Sequence, residues 1–495
     1  MTTSAAYDPR SPVIVGVGQV LDRQGGVEPL DLAATAIARA ESDAGVSGLA
    51  ALAEIIGVVP IVSWRYFDPA VRIAELIGAT PSERWYPAMG GNTPQLLVNK
   101  AAATIASGDA DIAIVCGAES YRTRMAARKA GTTLDWTQQD DTMAPTWGDA
   151  QQLDMGHPAE VAHGIFMPVQ CYPLFENAIR HHHGRDAETH TQVISELWSR
   201  FSAVAVDNPY AVDRTHHSAE EIATVTASNR IIGSPYTKHM VSNPDLDASS
   251  AVIMCSAAKA AELGISQDRW VFVWSGTDAK EPKMSERHDF VSCAAMGIAG
   301  NAAIELAGLS IDDLAHLDVY SCFPSAVELA CTELGISLDR QLTVYGGLCF
   351  AGGPWNNPVG HAIAAMVDVL RNDAGSHGLV TANGGIIQKH AFGVYSTTPP
   401  PNGFRYANPQ FAVDAAAPIR QVAADHVGEA NIETWTVMFE RDGNPAQAHA
   451  ALLTAEGARC WGVTKDSFAM SEMLTADMVG RGVTVAKGGA IALAG

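Results

Sequence analysis

The 495-residue chain has no C-x-x-C pair, no uninterrupted apolar run of about 18 residues and an excess of acidic over basic side chains. Each shortage excludes something. The eight cysteines stand apart at 116, 171, 255, 293, 322, 331, 349 and 460. That scatter argues against a zinc site or a redox dithiol, and a chain of this length needs no disulfide scaffold. The thiols are expected to be reduced and buried. Without a long apolar run there is no spanning helix to expect. The first residues lack the basic start and apolar core of a signal peptide, so the chain reads as cytoplasmic. The net charge of −22 disfavours nucleic acid and anionic membrane as partners. A small anionic ligand needs only a local basic patch and stays open.

What is present is a chain 47% hydrophobic and 17% charged, long enough for two to four domains. β-rich apolar segments alternate with alanine-rich helical ones, which implies an α/β layered core. Strands are expected over 13–17, 54–59 and 111–116. Helices are expected over 30–41 and 93–107, the second with Thr93 as N-cap and Pro94 in its first turn. The same grammar returns with strands over 270–275, 317–323, 379–382 and 392–396 and helices over 293–306, 325–334 and 357–371. Two halves of similar plan suggest an internal duplication. A polar stretch rich in His, Arg, Asp and Pro separates them. Near the end, Ser396 through Gly403, with three consecutive prolines, reads as a linker. Beyond it, three meandering strands, a helix over 471–479 and two more strands follow the plan of a small OB-like antiparallel β-barrel.

Three stretches resemble the thiolase superfamily, over roughly residues 10–397. The first runs Gly91-Asn92-Thr93-Pro94, then a helix, then Ala106-Ser107-Gly108-Asp109-Ala110 and Cys116-Gly117-Ala118-Glu119-Ser120. Thiolases there have C-x-S-G, a helix, A-x-G-D-A and G-G-x-E-S. The second is Asp318 to Phe323, where they have a strand ending in N-E-A-F. It leads on to Gly346-Gly347 and Gly352-Gly353-Pro354, where they have N-G-G and G-H-P. The third is Thr381-Ala382-Asn383-Gly384-Gly385, matching C-x-G-G. Ser234 to Lys238 and the following 245–251 resemble the thiolases related to sterol carrier proteins. With its C-terminal region, the chain resembles thiolase-like proteins that carry an additional C-terminal β-barrel. The resemblance implies a duplicated thiolase fold in αβαβα layers. Residues 1–118 and 246–268 form its first half, 119–245 a loop domain and 269–397 its second half. Residues 404–495 form the added barrel.

The departures matter as much. Where thiolases place the nucleophilic cysteine this chain has Gly91. The G-H-P histidine aligns with Gly353, the N-E-A-F asparagine with Tyr320, and the second cysteine with Ala382. The family's logic therefore implies no thiolase activity. A glycine at 91 is expected to leave a small void, while the backbone N–H groups of Gly91 and Gly385 remain as donors for an oxyanion or a thioester carbonyl.

Replacement chemistry would fall to Cys322, His361 and His390, which lie on segments that converge in a thiolase fold. A thiolate with a histidine base is an acyl-transfer centre. Each residue also has an ordinary reading, a small core thiol or a satisfied core histidine. Tyr320 and Tyr345 are alternative acid/base groups. Arg124 and Arg128 share a helix face in the run Arg122, Arg124, Arg128, Lys129. They offer a rim for coenzyme A phosphates, or else a solvated face. His181-His182-His183 reads as a surface turn, and Gly16-Val17-Gly18 lacks the rest of a dinucleotide fingerprint. In the barrel, ten acidic against seven basic side chains argue against oligonucleotide binding. Two functions follow. One is an acyltransferase-like enzyme of lipid metabolism doing altered acyl-CoA chemistry: acyl transfer, retro-Claisen or retro-aldol cleavage, or hydrolysis. The other is a non-catalytic acyl-CoA-binding or partner protein. Neither implies a tightly bound cofactor. A coenzyme A thioester is the expected ligand, and the chain is a monomer or homodimer.

Overall fold

The computed structural model describes residues 7–151 and 156–494; residues 1–6, read above for a leader, lie outside them. A ten-stranded sheet forms the body. From one edge its path runs Glu83–Trp85, Ile55–Val58, Ile112–Ser120, Asp247–Ser256, Pro12–Asp22, Val271–Lys280, Lys389–Ser396, His377–Gly384 and His316–Asp318. The two halves meet where Pro12–Asp22 and Val271–Lys280 share a two-residue ladder. Counted outward from that joint, each half has an antiparallel pair, a second antiparallel pair and then a parallel pair. The duplication suggested by the sequence is thus repeated in strand order and in pairing sense.

Helices supply the layers. Pro29–Ala44 covers the first half and Ala294–Leu306 the second. Gly16 and Gly18 serve this packing, because a Cβ on either would overlap the carbonyl oxygens of Ala40 and Ala36. Thr93–Ser107 and Pro358–Asn372 pack against each other between the halves and bury most of their side chains. Thr93 is not the N-cap. Asn92 takes that position, and Thr93 donates its hydroxyl to the Gly90 carbonyl at 2.5 Å.

The inserted region is mainly helical, with Tyr121–Ala130, Pro168–His182 and Ala187–Asp207 as its longer helices. His181-His182 ends one of them rather than forming a turn, and His181 bonds to Asp477 at 2.8 Å. The segment after the prolines returns to the body first. Arg405–Ala407 pairs parallel with Val271–Lys280, and Gln410–Ala416 packs on Ala294–Leu306. Only then does the second sheet begin, in the order Arg459–Thr464, Pro445–Leu453, Gly428–Phe439, Gly482–Val485, Ile491–Leu493. Its outer strands touch at a single bridge, Val463 to Ala490. Gly233 of the inserted region pairs with Met438, so this sheet is built onto the inserted region. Among the described residues no helix is long and apolar enough to cross a membrane.

Candidate functional site

All three thiolase-like motif segments end at one cavity of about 370 Å³. The turn Gly90-Gly91 supplies one side and the turn Gly384-Gly385 another. Tyr320, Cys322 and Phe323 come from the chain leading into the helix Pro324–Leu334. Gly353, Trp355 and Asn356 precede the helix Pro358–Asn372, and the inserted region adds Val161, Phe166, Met167 and Tyr172. Among the described residues no charged side chain or histidine lines it.

The expected void at Gly91 is absent. A Cβ there would overlap the Tyr320 hydroxyl and lie 2.8 Å from its ring carbon Cζ and 2.6 Å from the Asn383 carbonyl oxygen. The side chain at the N-E-A-F position therefore reaches into the space a nucleophile would take. Gly353 is refilled in the same way, since a Cβ there would overlap the hydroxyl of Ser242. Ser242 is fixed by its N–H, which donates to the Cys322 carbonyl at 3.0 Å, and the Gly353 N–H donates to the Asn243 carbonyl at 2.8 Å. Neither substitution was visible in the motifs. Tyr320 lies more than 200 residues from Gly91, and Ser242 belongs to no thiolase-like motif.

The polar groups around the cavity are unevenly satisfied. Asn383 donates through Nδ2 to the Tyr172 hydroxyl at 3.1 Å, and that hydroxyl reaches the Gly385 carbonyl at 3.4 Å. Asn383 Oδ1 and Trp355 Nε1 are buried without a partner. Among the described residues the Tyr320 hydroxyl and the N–H groups of Gly91 and Gly385 also find no acceptor. Trp355 is held at a φ of 48°, in the left-handed region that costs a bulky residue about 1–3 kcal/mol, and its ring rests on Tyr121 at 5.0 Å. Burial pushes the Tyr320 and Tyr172 hydroxyls well above their ordinary range, so both stay protonated.

Of the candidate catalytic residues, Cys322 lines the cavity beside Tyr172, and burial pushes its thiol up to about 12. His361 lies elsewhere. It bonds Gln19 Oε1 through Nδ1 at 2.8 Å and stacks on Tyr345, whose hydroxyl donates to the Gly352 carbonyl at 2.6 Å. His390 faces Cys293 Sγ at 3.5 Å and lines a small gap with Ala382 on the other side of Tyr320 and Asn383. Burial lowers both histidines to about 3. The structure brings none of these three within hydrogen-bond distance of another. Arg124 donates through Nη1 to the carbonyls of Val62 and Ser63 at 2.9 and 2.8 Å, while Arg128 is exposed at the helix end.

One turn beyond Tyr172 and Phe323 lies a second polar group that the sequence reading missed. Glu176, His190 and Glu328 are almost fully buried, with donor atoms within 4.8 Å of one another, the reach of one metal ion. Their hydrogen bonds argue against such an ion. His190 Nδ1 takes the Arg185 guanidinium at 3.3 Å, so Nε2 carries the proton and donates it to Glu176 at 2.6 Å. Arg185 also pairs with Glu328 at 3.2 Å, and the Tyr236 hydroxyl donates to Glu176. Burial raises both carboxyls, Glu328 further because it faces Glu176. This is a proton-sharing clasp between helices.

The sheet, the central pair of helices and the cavity at the ends of the motif segments define a thiolase fold. Solved structures agree. An acetyl-CoA acetyltransferase from Syntrophomonas wolfei matches with a TM-score of 0.56 at 16% identity, over 78% of this chain and 99% of its own. An Ltp2-ChsH2(DUF35) aldolase matches with a TM-score of 0.57 at 18% identity, over 79% and 98%. A monomeric SCP2-thiolase-like protein type 1 from Mycobacterium smegmatis matches with a TM-score of 0.84 at 31% identity, over 99% and 100%. Residues 410–490 also match the family model for the thiolase-like protein type 1 additional C-terminal domain. The chain belongs to the SCP2-thiolase-like protein type 1 family. No curated protein matches it in sequence.

Proposed function

We propose that the chain binds an acyl thioester of coenzyme A in this cavity and acts on its carbonyl group without forming an acyl-enzyme. The observation that carries this is the Tyr320 hydroxyl, a neutral and unpaired donor standing where a nucleophile at 91 would be. With the N–H groups of Gly91 and Gly385 it offers the thioester oxygen a set of donors that need no reorganisation as charge develops. The uncharged lining suits the acyl part, and the phosphates stay outside, toward exposed cations such as Arg128. Retro-aldol cleavage and hydrolysis fit the donors, because an enolate or oxyanion is what they stabilise; with no histidine or charged side chain among the described lining residues, the proton released by the substrate hydroxyl or the attacking water passes to solvent. Acyl transfer through Cys322 fits less well, since its thiol is protonated at neutral pH and no histidine reaches it. A monomer fits the edge strand Glu83–Trp85, which is covered by its own chain at Trp147.

The second reading, a binder without turnover, is favoured by the remoteness of His361 and His390. Calorimetric titration with coenzyme A and acyl-CoA thioesters, followed by a turnover assay on the same panel, separates the two. Micromolar binding with product formation supports the enzyme, and binding alone selects the second reading. Absence of binding removes both.

A further inference from the structure

The C-terminal sheet contributes no lining residue to the cavity. It is nonetheless bonded to the wall that closes it. That wall, residues 156–172, carries Val161, Phe166 and Met167, which line the mouth and are 50%, 53% and 40% exposed. Apolar side chains facing solvent do not hold their own backbone in place, so the restraint must come from behind. Behind them is Glu160, 1% exposed, on the short helix Pro158–Ala162. Its Oε1 accepts from the Ser285 N–H at 2.8 Å and from the Ser285 hydroxyl at 2.9 Å. The same hydroxyl accepts from Trp461 Nε1 at 2.9 Å, and Trp461 belongs to the C-terminal strand Arg459–Thr464.

The strand grips the intervening loop as well. Arg459, fully buried and paired with Glu433 at 2.6 Å, donates to the carbonyls of Met284 at 2.9 Å, Ser285 at 3.3 Å and His288 at 3.1 Å. Just beyond the far end of the wall, the helix Pro168–His182 is held by another strand of the same sheet, Gly428–Phe439. Thr434 donates to the Leu174 carbonyl at 2.5 Å, and Asn177 donates to the Trp435 carbonyl at 2.8 Å. Both ends of the mouth segment thus hang on one sheet.

We propose that the C-terminal sheet positions the mouth of the cavity through the relay Trp461–Ser285–Glu160, with Glu160 as the positioning residue. The sheet is then a built-in clamp, and its role holds whatever the cavity takes. A buried carboxylate that accepts two hydrogen bonds fixes its helix, and losing such a bond frees the backbone locally by roughly tenfold in opening equilibrium.

Hydrogen exchange followed by mass spectrometry on the full chain tests this. In Glu160→Ala and Ser285→Ala, amides 157–167 are expected to exchange about tenfold faster. In Trp461→Phe, which keeps an aromatic side chain but loses the N–H and part of the indole volume, they are expected to exchange about threefold faster. Glu160→Gln keeps the accepting oxygen and should retain protection near wild type. The strands Pro12–Asp22 and Gly428–Phe439 should not change in any variant. Unchanged exchange at 157–167 in Ser285→Ala and Trp461→Phe overturns the proposal. So does equal acceleration in Glu160→Gln and Glu160→Ala, or acceleration that extends through Gly428–Phe439.

Discussion

The cavity floor and the clasp beneath it share two helices and treat polar groups differently. Tyr172 and Glu176 are four residues apart on Pro168–His182, while Phe323 and Glu328 flank the start of Pro324–Leu334. At the floor, Tyr172 and Phe323 stack with ring centroids at 4.4 Å, nothing is charged, and Asn383 Oδ1 and Trp355 Nε1 go unpaired. In the clasp, two carboxyls, a histidine, a guanidinium and a phenol bond to one another, and Glu328 Oε2 alone of these groups' buried atoms goes unpaired among the described residues. An unpaired buried polar atom costs about 1–3 kcal/mol, which a ligand can recover on binding. A paired network returns its cost within the fold. The first pattern is that of a binding site and the second that of a structural joint.

The largest effect is expected at the clasp. Glu176→Ala leaves His190 Nε2 and the Tyr236 hydroxyl without that acceptor, and is expected to cost about 3–5 kcal/mol in urea unfolding. A loss below about 1 kcal/mol would mean that the network contributes little to the joint. At the floor, Gly91→Ala drives a methyl group into the Tyr320 hydroxyl and the Asn383 carbonyl, at about 2–3 kcal/mol. The same change in a Tyr320→Ala background should cost at least about 1 kcal/mol less. Equal costs in the two backgrounds would show that Tyr320 does not fill that space.

Buried carboxyls also set a pH signature. Burial raises Glu119 to about 7 although the N–H groups of Val62 and Ser63 donate to it. An acid whose folded value lies above its ordinary one stabilises the fold while protonated, and that contribution fades as pH rises through about 7. Glu119→Gln should therefore flatten the fall of the urea midpoint between pH 5 and 8, an effect on the order of 1–2 kcal/mol. A pH profile unchanged by the substitution would contradict this. The smallest effect on stability belongs to Tyr320→Phe. Removing an unpaired hydroxyl should shift stability by less than about 0.5 kcal/mol while weakening thioester binding about tenfold. A large loss of stability, or undiminished affinity, would move Tyr320 from the site to the structure.

How much of this was legible in the sequence follows a physical division. The helix Thr93–Ser107 is readable because Pro94 marks its first turn, and the two-half plan because apolar strands alternate with alanine-rich helices. The strand Arg405–Ala407 was not, because three residues near prolines carry no period and pair only through tertiary contact. At the site, the vacated side chains were legible one by one. Their replacement was not, because Ser242 meets Gly353 and Tyr320 meets Gly91 only after folding. The motif segments carrying Cys322, His361 and His390 do converge, but a segment's course does not fix where a side chain points. His361 turns to Gln19 and His390 to Cys293.

Above all, the cavity is proposed to take a thioester and to capture no acyl group. The direct measurement is intact mass and peptide mapping of the chain after incubation with a saturating acyl-CoA whose binding has been measured by calorimetry. Reversible binding and an unchanged protein mass are expected. A stoichiometric acyl adduct on Cys322, lost in Cys322→Ala, would contradict this.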